Sequence, residues 1–170
     1  VPVVRVVRSQ AMPGGAGNVA RNIATLGAHC SLLTVTGDDV AGAELAALLQ
    51  LPRLTYRAVI DHTRPTTVKS RFVASNQQVL RVDQEVDTPI SSSVGQELID
   101  HATELLSEVD VVVLSDYAKG VLTQQVTSAV IAAARAAGVP VIVDPKGRDY
   151  RKYDGASLIT PNVKELWEVT

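Results

Sequence analysis

The sequence contains little cysteine, few aromatic residues and no excess of basic charge. Its one cysteine, Cys30, excludes an intramolecular disulfide. Aromatic residues make up 4% of the 170 residues and the net charge is −2, which argues against a base-stacking surface or a basic field for nucleic acid. The three histidines are scattered and have no metal-ligand spacing. We therefore expect no nucleic-acid partner and no histidine-based metal site.

Long apolar runs are also missing, although 46% of the residues are apolar. No run approaches the roughly 20 residues that a membrane-spanning helix needs, so we expect no membrane partner. No secretory leader is recognisable, and together with the single cysteine this favours a reducing cytoplasm. The length suits one domain, residues 1–170, with a substantial core.

A glycine cluster, Pro13-Gly14-Gly15-Ala16-Gly17-Asn18, precedes a helical pattern from Val19 to Leu26. Glycines allow the backbone to approach a ligand closely, and the first turn of a helix offers free N–H groups. Asn18 can both donate and accept hydrogen bonds, which suits a polyhydroxylated ligand such as a sugar. A tight turn followed by a helix start is the structural alternative.

The rest of the chain alternates strand and helix patterns, except in one segment. The predicted strands are 1–7, 31–36, 111–114, 139–143 and 158–160, and the predicted helices are 41–49, 91–106, 123–137 and one from 163 onward. This alternation indicates an α/β fold with a mainly parallel sheet flanked by helices. The wholly apolar run Val111–Leu114 predicts a strand that is covered on both faces.

Residues 54–86 break the alternation, because three strand patterns follow one another without a helix. These are Thr55–Ile60, Thr66–Ala74 and Gln78–Val82, with Ser75-Asn76 as the turn of a hairpin. We interpret this segment as an antiparallel appendage outside the main sheet. An ordinary edge hairpin is the alternative.

Polar residues follow three of the predicted strands, where parallel sheets bind ligands. They are Ser115-Asp116, Asp144-Pro145-Lys146 and Pro161-Asn162. Phosphoryl transfer requires a metal, cations around the phosphate and a positioned nucleophile. Asp144 and Glu165 could hold Mg²⁺ through water, and Lys146 and Lys119 could neutralise phosphate oxygens.

Together these segments give the chain a recognisable pattern. The segments are 14–20, Gly27, Gly37, 76–83, 114–120, 144–147 and 160–165. The pattern resembles the ribokinase (PfkB-type) family of sugar kinases, and within it the bacterial kinases of D-glycero-β-D-manno-heptose 7-phosphate. The resemblance implies a ribokinase-like fold with a small antiparallel β lid, formed by residues 1–8 and 54–86. It also implies ATP-dependent phosphorylation of the sugar at its anomeric hydroxyl, giving the 1,7-bisphosphate for ADP-heptose and lipopolysaccharide synthesis.

The resemblance also assigns roles to residues. Gly14, Gly15 and Asn18 match the sugar-binding turn, and the substrate-binding set further contains Lys69, Arg81, Asp83, Asp116 and Lys119. Arg71 lies on the same strand as Lys69, and Arg81 could equally pair with Asp83 or Glu85. The nucleotide side is implied to contain Asp144, Lys146, Asn162, Val163, Lys164 and Glu165, with Mg²⁺ held through water by Asp144 and Glu165. The lid strands are an implied homodimer interface.

Two family features do not occur in this sequence. They are the Gly-Ala-Gly-Asp motif with the catalytic Asp, and the first strand, which ends in a substrate-binding Asp. We therefore expect a middle portion of the kinase, truncated at both ends, with no catalytic base and little or no activity alone.

Three alternatives remain open at this point. Another sugar kinase, resembling fructokinase or ribokinase, would use the same fold. A dinucleotide-binding module is suggested by the spacing Gly15-x-Gly17-x-x-Ala20 with Asp38 or Asp39 further on. The third alternative is a non-catalytic piece that dimerises through its lid strands.

Overall fold

The computed structural model describes residue 3 and residues 5–169. The helices are α1 (Gly15–Thr25), α2 (Val40–Leu48), α3 (Ser92–Leu105), α4 (Gln124–Ala136) and α5 (Val163–Val169), with a 3₁₀ helix at Tyr150–Tyr153. The strands are β1 (Cys30–Thr36), β2 (Leu54–Ile60), β3 (Val68–Ala74), β4 (Gln77–Gln84), β5 (Val112–Ser115), β6 (Val141–Asp144) and β7 (Leu158–Ile159). None of the described helices is long and apolar enough to cross a membrane.

Helix α1 begins at Gly15, four residues before the predicted start. Its buried residues are small, namely Gly17, Ala20 and Ala24. A Cβ on Gly17 would lie 3.2 Å from the Pro13 side chain, so the first turn of the helix packs closely on Pro13, two residues before the helix begins. The glycines therefore form part of the helix as well as the turn that leads into it.

The predicted strand over residues 1–7 is not present in its described part. Val1, Pro2 and Val4 lie outside the described residues, and residue 3 and residues 5–14 form neither helix nor strand. Val6 and Val7 are 62% and 89% exposed. A β-branched sequence favours a strand only when a neighbouring strand covers it, and these valines have none among the described residues.

Strand β2 corrects the predicted appendage. It pairs in parallel with β1, with Cys30 opposite Leu54 and Thr36 opposite Ile60. The helix α2 that precedes it provides the crossover that a parallel pair requires. The antiparallel part is therefore limited to β3 and β4, which we call the hairpin (residues 68–84).

The hairpin itself is confirmed as predicted. Its turn residues Ser75 and Asn76 have φ values of 49° and 62°, the left-handed conformation of a two-residue type I′ connection. The pairing places Phe72 opposite Leu80 and Lys69 opposite Asp83. One face of the hairpin is therefore mostly apolar and the other is charged.

The chain from Ser91 onward alternates as predicted and forms a three-stranded parallel sheet in the order β5-β6-β7. The described parallel strands thus form two separate sheets, β1–β2 and β5–β6–β7, where one was expected. Helices α3 and α4 cover one face of β5, but Val113 is 43% exposed, so the expected cover on both faces is wrong for that residue.

One apolar core joins the two parallel sheets. Val59 of β2, Leu114 of β5 and Val143 of β6 belong to one buried cluster with residues of α3 and α4. Each fully buried side chain of this kind contributes about 1.5–3 kcal/mol. The shared core holds the sheets together although no ladder connects them.

Candidate active site

The polar residues at the carboxyl ends of β5, β6 and β7 lie side by side at one edge of the sheet. The register places Ser115 beside Asp144, and the Asp116 N–H donates to the Asp144 carbonyl over 3.0 Å. Thr160 continues the pairing with Val143 at the end of β7. The predicted grouping of the three strand ends is therefore present, and we call this region the strand-end edge.

Asp116 is the most constrained carboxylate of the strand-end edge. It is 5% exposed and accepts hydrogen bonds from the Ala118 N–H at 2.7 Å, the Tyr153 hydroxyl at 2.6 Å and Lys152 Nζ at 2.5 Å. These three donors, from three different residues, hold the Asp116 carboxylate in one orientation.

Lys152 and Tyr153 were missed by the sequence reasoning. The 3₁₀ helix between β6 and β7 carries both residues back to the strand-end edge. Tyr153 is 1% exposed, and its hydroxyl also accepts the Lys146 N–H at 3.2 Å. Burial, and then the hydrogen bond to Asp116, raises the pKa of Tyr153, so it remains a proton donor to that carboxylate. The only available signal was a tyrosine within a polar loop that joins two strands of the site.

Asp144 differs from Asp116, since no hydrogen-bond partner of its carboxylate is found among the described residues. Burial raises the pKa of Asp144, the nearby Glu165 carboxylate raises it further, and Lys146 opposes the shift. A carboxylate with free lone pairs beside a second carboxylate is suited to the water shell of a divalent cation.

Glu165 is held by both of its oxygens at the start of α5. Oε1 lies 2.7 Å from Lys146 Nζ, and Oε2 accepts the Asn162 N–H at 3.0 Å. The Asn162 side chain in turn accepts the Glu165 N–H at 3.0 Å, which completes a reciprocal cap. The ion pair with Lys146, followed by the Asn162 N–H, lowers the pKa of Glu165. Val163 and Lys164 lie on the exposed first turn of α5.

The glycine turn lies next to the loop that follows β5. Gly15 has φ +49°, and a Cβ there would lie 3.4 Å from the Tyr117 ring. Gly14 is the N-cap of α1 and has no side-chain cap, so the first-turn N–H groups remain available. Asn18 is exposed, and its side chain has no hydrogen-bond partner in the part of the chain that the structure describes.

A chain of ion pairs connects the hairpin to the strand-end edge. Lys69 Nζ lies 3.0 Å from Asp83 and 2.6 Å from Glu85, and Glu85 in turn lies 2.7 Å from Lys119 Nζ. Arg81 Nε lies 3.0 Å from Asp83, which is one of the pairings left open by the sequence. Lys119, and then Lys69, lower the pKa of Glu85, so these carboxylates stay ionised.

The structure also bears on two questions from the sequence, namely whether side chains are grouped to hold a metal ion and whether the glycine turn could bind a dinucleotide. Among residue 3 and residues 5–169, no three or more His, Cys, Asp or Glu side chains are grouped to hold a metal ion directly. Asp144 and Glu165 are compatible with a cation held through water. The dinucleotide interpretation requires a strand directly before the glycine turn, and residues 5–14 form none.

An α/β fold with polar loops at the carboxyl ends of its parallel strands defines the class of ligand-binding α/β domains. The match to known families is more specific. All of residues 1–170 match the pfkB family carbohydrate kinase model, and the chain belongs to this family.

Curated relatives and solved structures agree with this family. The bifunctional protein HldE of a Caulobacter species is 52% identical over 171 residues, covering 100% of this chain and 34% of the relative. HldE of Caulobacter vibrioides is 50% identical, covering 100% of this chain and 35% of the relative. The chain thus spans about a third of the length of these relatives.

Solved structures show the same fold. A possible 1-phosphofructokinase of Thermotoga maritima has a TM-score of 0.70 at 18% identity, covering 96% of this chain and 53% of that chain. The ribokinase of Arabidopsis thaliana, solved with ribose and ATP, has a TM-score of 0.66 at 20% identity, covering 99% and 55%. The ribokinase-like fold expected from the sequence is confirmed.

Proposed function

We propose that this chain is part of a kinase that transfers the γ-phosphoryl group of ATP to the anomeric hydroxyl of D-glycero-D-manno-heptose 7-phosphate. The product would be the 1,7-bisphosphate, used in ADP-heptose and lipopolysaccharide synthesis. The observation that carries the proposal is the 50–52% identity to proteins named HldE over the whole chain. The arrangement of the strand-end edge supports it.

In this proposal the sugar lies between the glycine turn and the hairpin. Gly14 and Gly15 allow a close approach, the free N–H groups of α1 donate to sugar oxygens, and Asn18 orients a hydroxyl. Asp116 accepts a hydrogen bond from a sugar hydroxyl, and Tyr153 and Lys152 keep the Asp116 carboxylate in place. Lys69, Arg81, Asp83 and Lys119 form the charged boundary of the sugar site.

The nucleotide lies at the other end of the strand-end edge. Lys146 and the start of α5, at Asn162, Val163, Lys164 and Glu165, bound this side. Asp144, with its free carboxylate, and Glu165 would hold Mg²⁺ through water. When bound, that ion neutralises charge on the phosphates. For Glu165 to take part, its ion pair with Lys146 must loosen, which releases the Lys146 ammonium for phosphate oxygens.

We also propose that the protein is a cytoplasmic homodimer formed through the hairpin. Leu80 and Val82 are 50% and 49% exposed and lie on the same face as Phe72. Apolar side chains on a two-stranded ribbon are the kind of surface that a second copy covers. Sedimentation of the chain and of a Leu80→Glu variant tests this, and equal masses at all concentrations would contradict it.

Ligand protection tests the proposed function directly. A ligand at 100 times its Kd stabilises the fold by about 2.7 kcal/mol, which raises Tm by about 5–11 °C for a chain of this size. We expect protection by heptose 7-phosphate and by ATP with Mg²⁺, and none by NAD. Asn18→Ala is expected to abolish protection by the sugar and to retain that by ATP.

The matched control is Asn76→Gly, at the hairpin turn, which removes an amide from a position where glycine is well tolerated. Protection by NAD in place of ATP, or equal protection of the parent and Asn18→Ala by the sugar, would overturn the proposal.

A further inference from the structure

The loop that follows β5, residues 116–120, contains a residue in an unfavourable backbone conformation. Ala118 has φ 52°, in the left-handed region, where the Cβ of an L-residue crowds the backbone. Glycine, asparagine and aspartate are the residues that commonly take this conformation, and alanine has no polar side chain to compensate for it. Strained residues of this kind persist only where their surroundings hold them, and they cluster at ligand-binding sites.

Hydrogen bonds hold this loop at and beyond the strained residue. The Ala118 N–H donates to Asp116 Oδ1 over 2.7 Å. The next two carbonyls, those of Lys119 and Gly120, each accept a hydrogen bond from another segment of the chain, at 3.0 Å and 2.9 Å. The three residues that follow Tyr117 are therefore fixed, and the backbone of the loop sets the position of the Tyr117 side chain.

The Tyr117 side chain gains little from the fold itself. It is 47% exposed, and residue 3 and residues 5–169 offer its hydroxyl no hydrogen-bond partner. Its ring lies against the glycine turn, where the ring atoms Cε2, Cδ2 and Cζ are 3.4, 3.5 and 3.7 Å from the position of a Cβ on Gly15. A rigid loop thus presents a half-exposed aromatic ring next to the first turn of α1.

The residues around this ring are those already placed in the sugar site. Gly15 contacts the ring, Asp116 directly precedes Tyr117, and Lys119 follows two residues later. A sugar that contacts both the glycine turn and the Asp116 carboxylate therefore lies beside the ring. The hydroxyl groups of a sugar need hydrogen bonds, but a face of the sugar ring can consist largely of C–H groups, which suit the apolar, electron-rich face of an aromatic ring.

We propose that the ring of Tyr117 is the platform for the C–H face of the sugar substrate, a contact that adds to the hydrogen bonds from the glycine turn and Asp116. This inference rests on the proposed function and adds a residue to its sugar site. It assigns the contact to the aromatic ring and none of it to the Tyr117 hydroxyl. It also accounts for the strain at Ala118, because the left-handed turn at that residue holds the ring beside the glycine turn.

Calorimetric titration of the 170-residue chain with heptose 7-phosphate, and separately with ATP and Mg²⁺, tests the inference. Tyr117→Phe keeps the ring and should bind the sugar within about twofold of the parent, since no hydrogen bond is lost. Tyr117→Leu keeps apolar volume without the ring and should bind the sugar about three- to tenfold more weakly, as expected for an aromatic contact. Neither substitution should change the affinity for ATP.

NMR provides a readout that a purely structural role would not produce. In the parent chain we expect nuclear Overhauser effects between the ring protons of Tyr117 and C–H protons of the bound sugar. The ring signals of Tyr117 are assigned from their absence in the spectrum of Tyr117→Phe. Titration of the parent with ATP and Mg²⁺ should produce no such effects at these protons.

Trp167→Leu is the matched control, because Trp167 is an aromatic residue that is 76% exposed on α5. It should leave the sugar affinity unchanged. Equal sugar affinities for Tyr117→Phe and Tyr117→Leu would overturn the inference with the proposed function left standing, and so would a sugar complex of the parent without the Overhauser effects. A parent chain that does not bind heptose 7-phosphate would overturn both.

Discussion

Replacing Gly120 by alanine tests whether backbone contact fixes the loop after β5 against the segment that leaves the hairpin. Gly120 has φ +73°, and a Cβ there would lie 2.5 Å from the Thr88 carbonyl carbon and closer still to its oxygen. The Ile90 N–H donates to the Gly120 carbonyl over 2.9 Å, so the segment around Thr88 and the loop around Gly120 are held against each other. The loop carries Lys119, and its position sets that of the ion pair with Glu85.

The expected cost has two parts. An L-residue in the left-handed region costs about 1–2 kcal/mol, offset by about 0.4–1 kcal/mol from the lower entropy of the unfolded chain. Overlap with a fixed carbonyl adds about 1–3 kcal/mol, as in overpacked interiors. The sum is about 1–5 kcal/mol, which lowers Tm by about 2–4 °C for each kcal/mol.

Gly138 separates the two parts. It also has φ +73°, but a Cβ there meets no atom within 4 Å. Gly138→Ala should therefore show only the backbone term, and Gly120→Ala should melt several degrees lower than Gly138→Ala in calorimetry. Equal melting temperatures for the two variants would refute the argument that the carbonyl contact holds the loop.

Two further predictions concern stability. Tyr153→Phe should lower Tm by about 2–12 °C, because it leaves the Lys146 N–H unpaired and removes a donor from Asp116, a loss of about 1–3 kcal/mol. Tyr150→Phe should melt close to the parent, since the described residues offer its buried hydroxyl no partner, and a larger loss there than in Tyr153→Phe would contradict this account. Asp39 accepts N–H groups of Thr66 and Gly42, which lower its pKa. The contribution of ionised Asp39 to the free energy of unfolding is fully present above the pKa of the unfolded chain, about 3.9, and is lost as pH falls through the lower pKa of the folded protein. In urea unfolding at a series of pH values, Asp39→Asn should therefore lose less stability than the parent as the pH is lowered. An acid limb of the same slope in both proteins would show that Asp39 does not contribute to it.

Local chemistry accounts for most of what the sequence predicted correctly. The Ser75-Asn76 turn was recognisable because asparagine and serine tolerate the left-handed region and short polar turns connect strands. The polar strand ends were recognisable because each polar residue follows an apolar run directly. In both cases the signal and the structure lie within a few neighbouring residues.

Pairing partners account for the errors. The residues of β2 form a strand as predicted, but their partner is β1, some 24 residues earlier, and not the hairpin that follows. The amino-acid pattern of a strand is the same whether it pairs in parallel with β1 or antiparallel with the hairpin, since the pattern reports which side chains are buried and not the direction of the neighbouring strand. The deciding feature was helix α2, which makes the parallel crossover.

Lys152 and Tyr153 were missed for a related reason. In the sequence they lie 36 and 37 residues from Asp116, in a polar loop without a motif. Their importance follows only from the return of that loop to the strand-end edge. A contact of this kind depends on three-dimensional closure, which the periodicity of the sequence does not contain.

One buried ion pair explains why the hairpin holds a defined position relative to the site. Arg64 lies 3.0 Å from Asp61, and the two side chains are 8% and 4% exposed. The same guanidinium donates to the carbonyls of Lys119 at 3.0 Å and Thr88 at 2.9 Å. It therefore joins the end of β2, the segment that leaves the hairpin and the loop after β5. A buried guanidinium with each of its three nitrogens hydrogen-bonded fixes geometry more than it adds stability, because its desolvation offsets much of the attraction. The charged face of the hairpin and the carboxylate of Asp116 are thus placed relative to each other by a residue that belongs to neither.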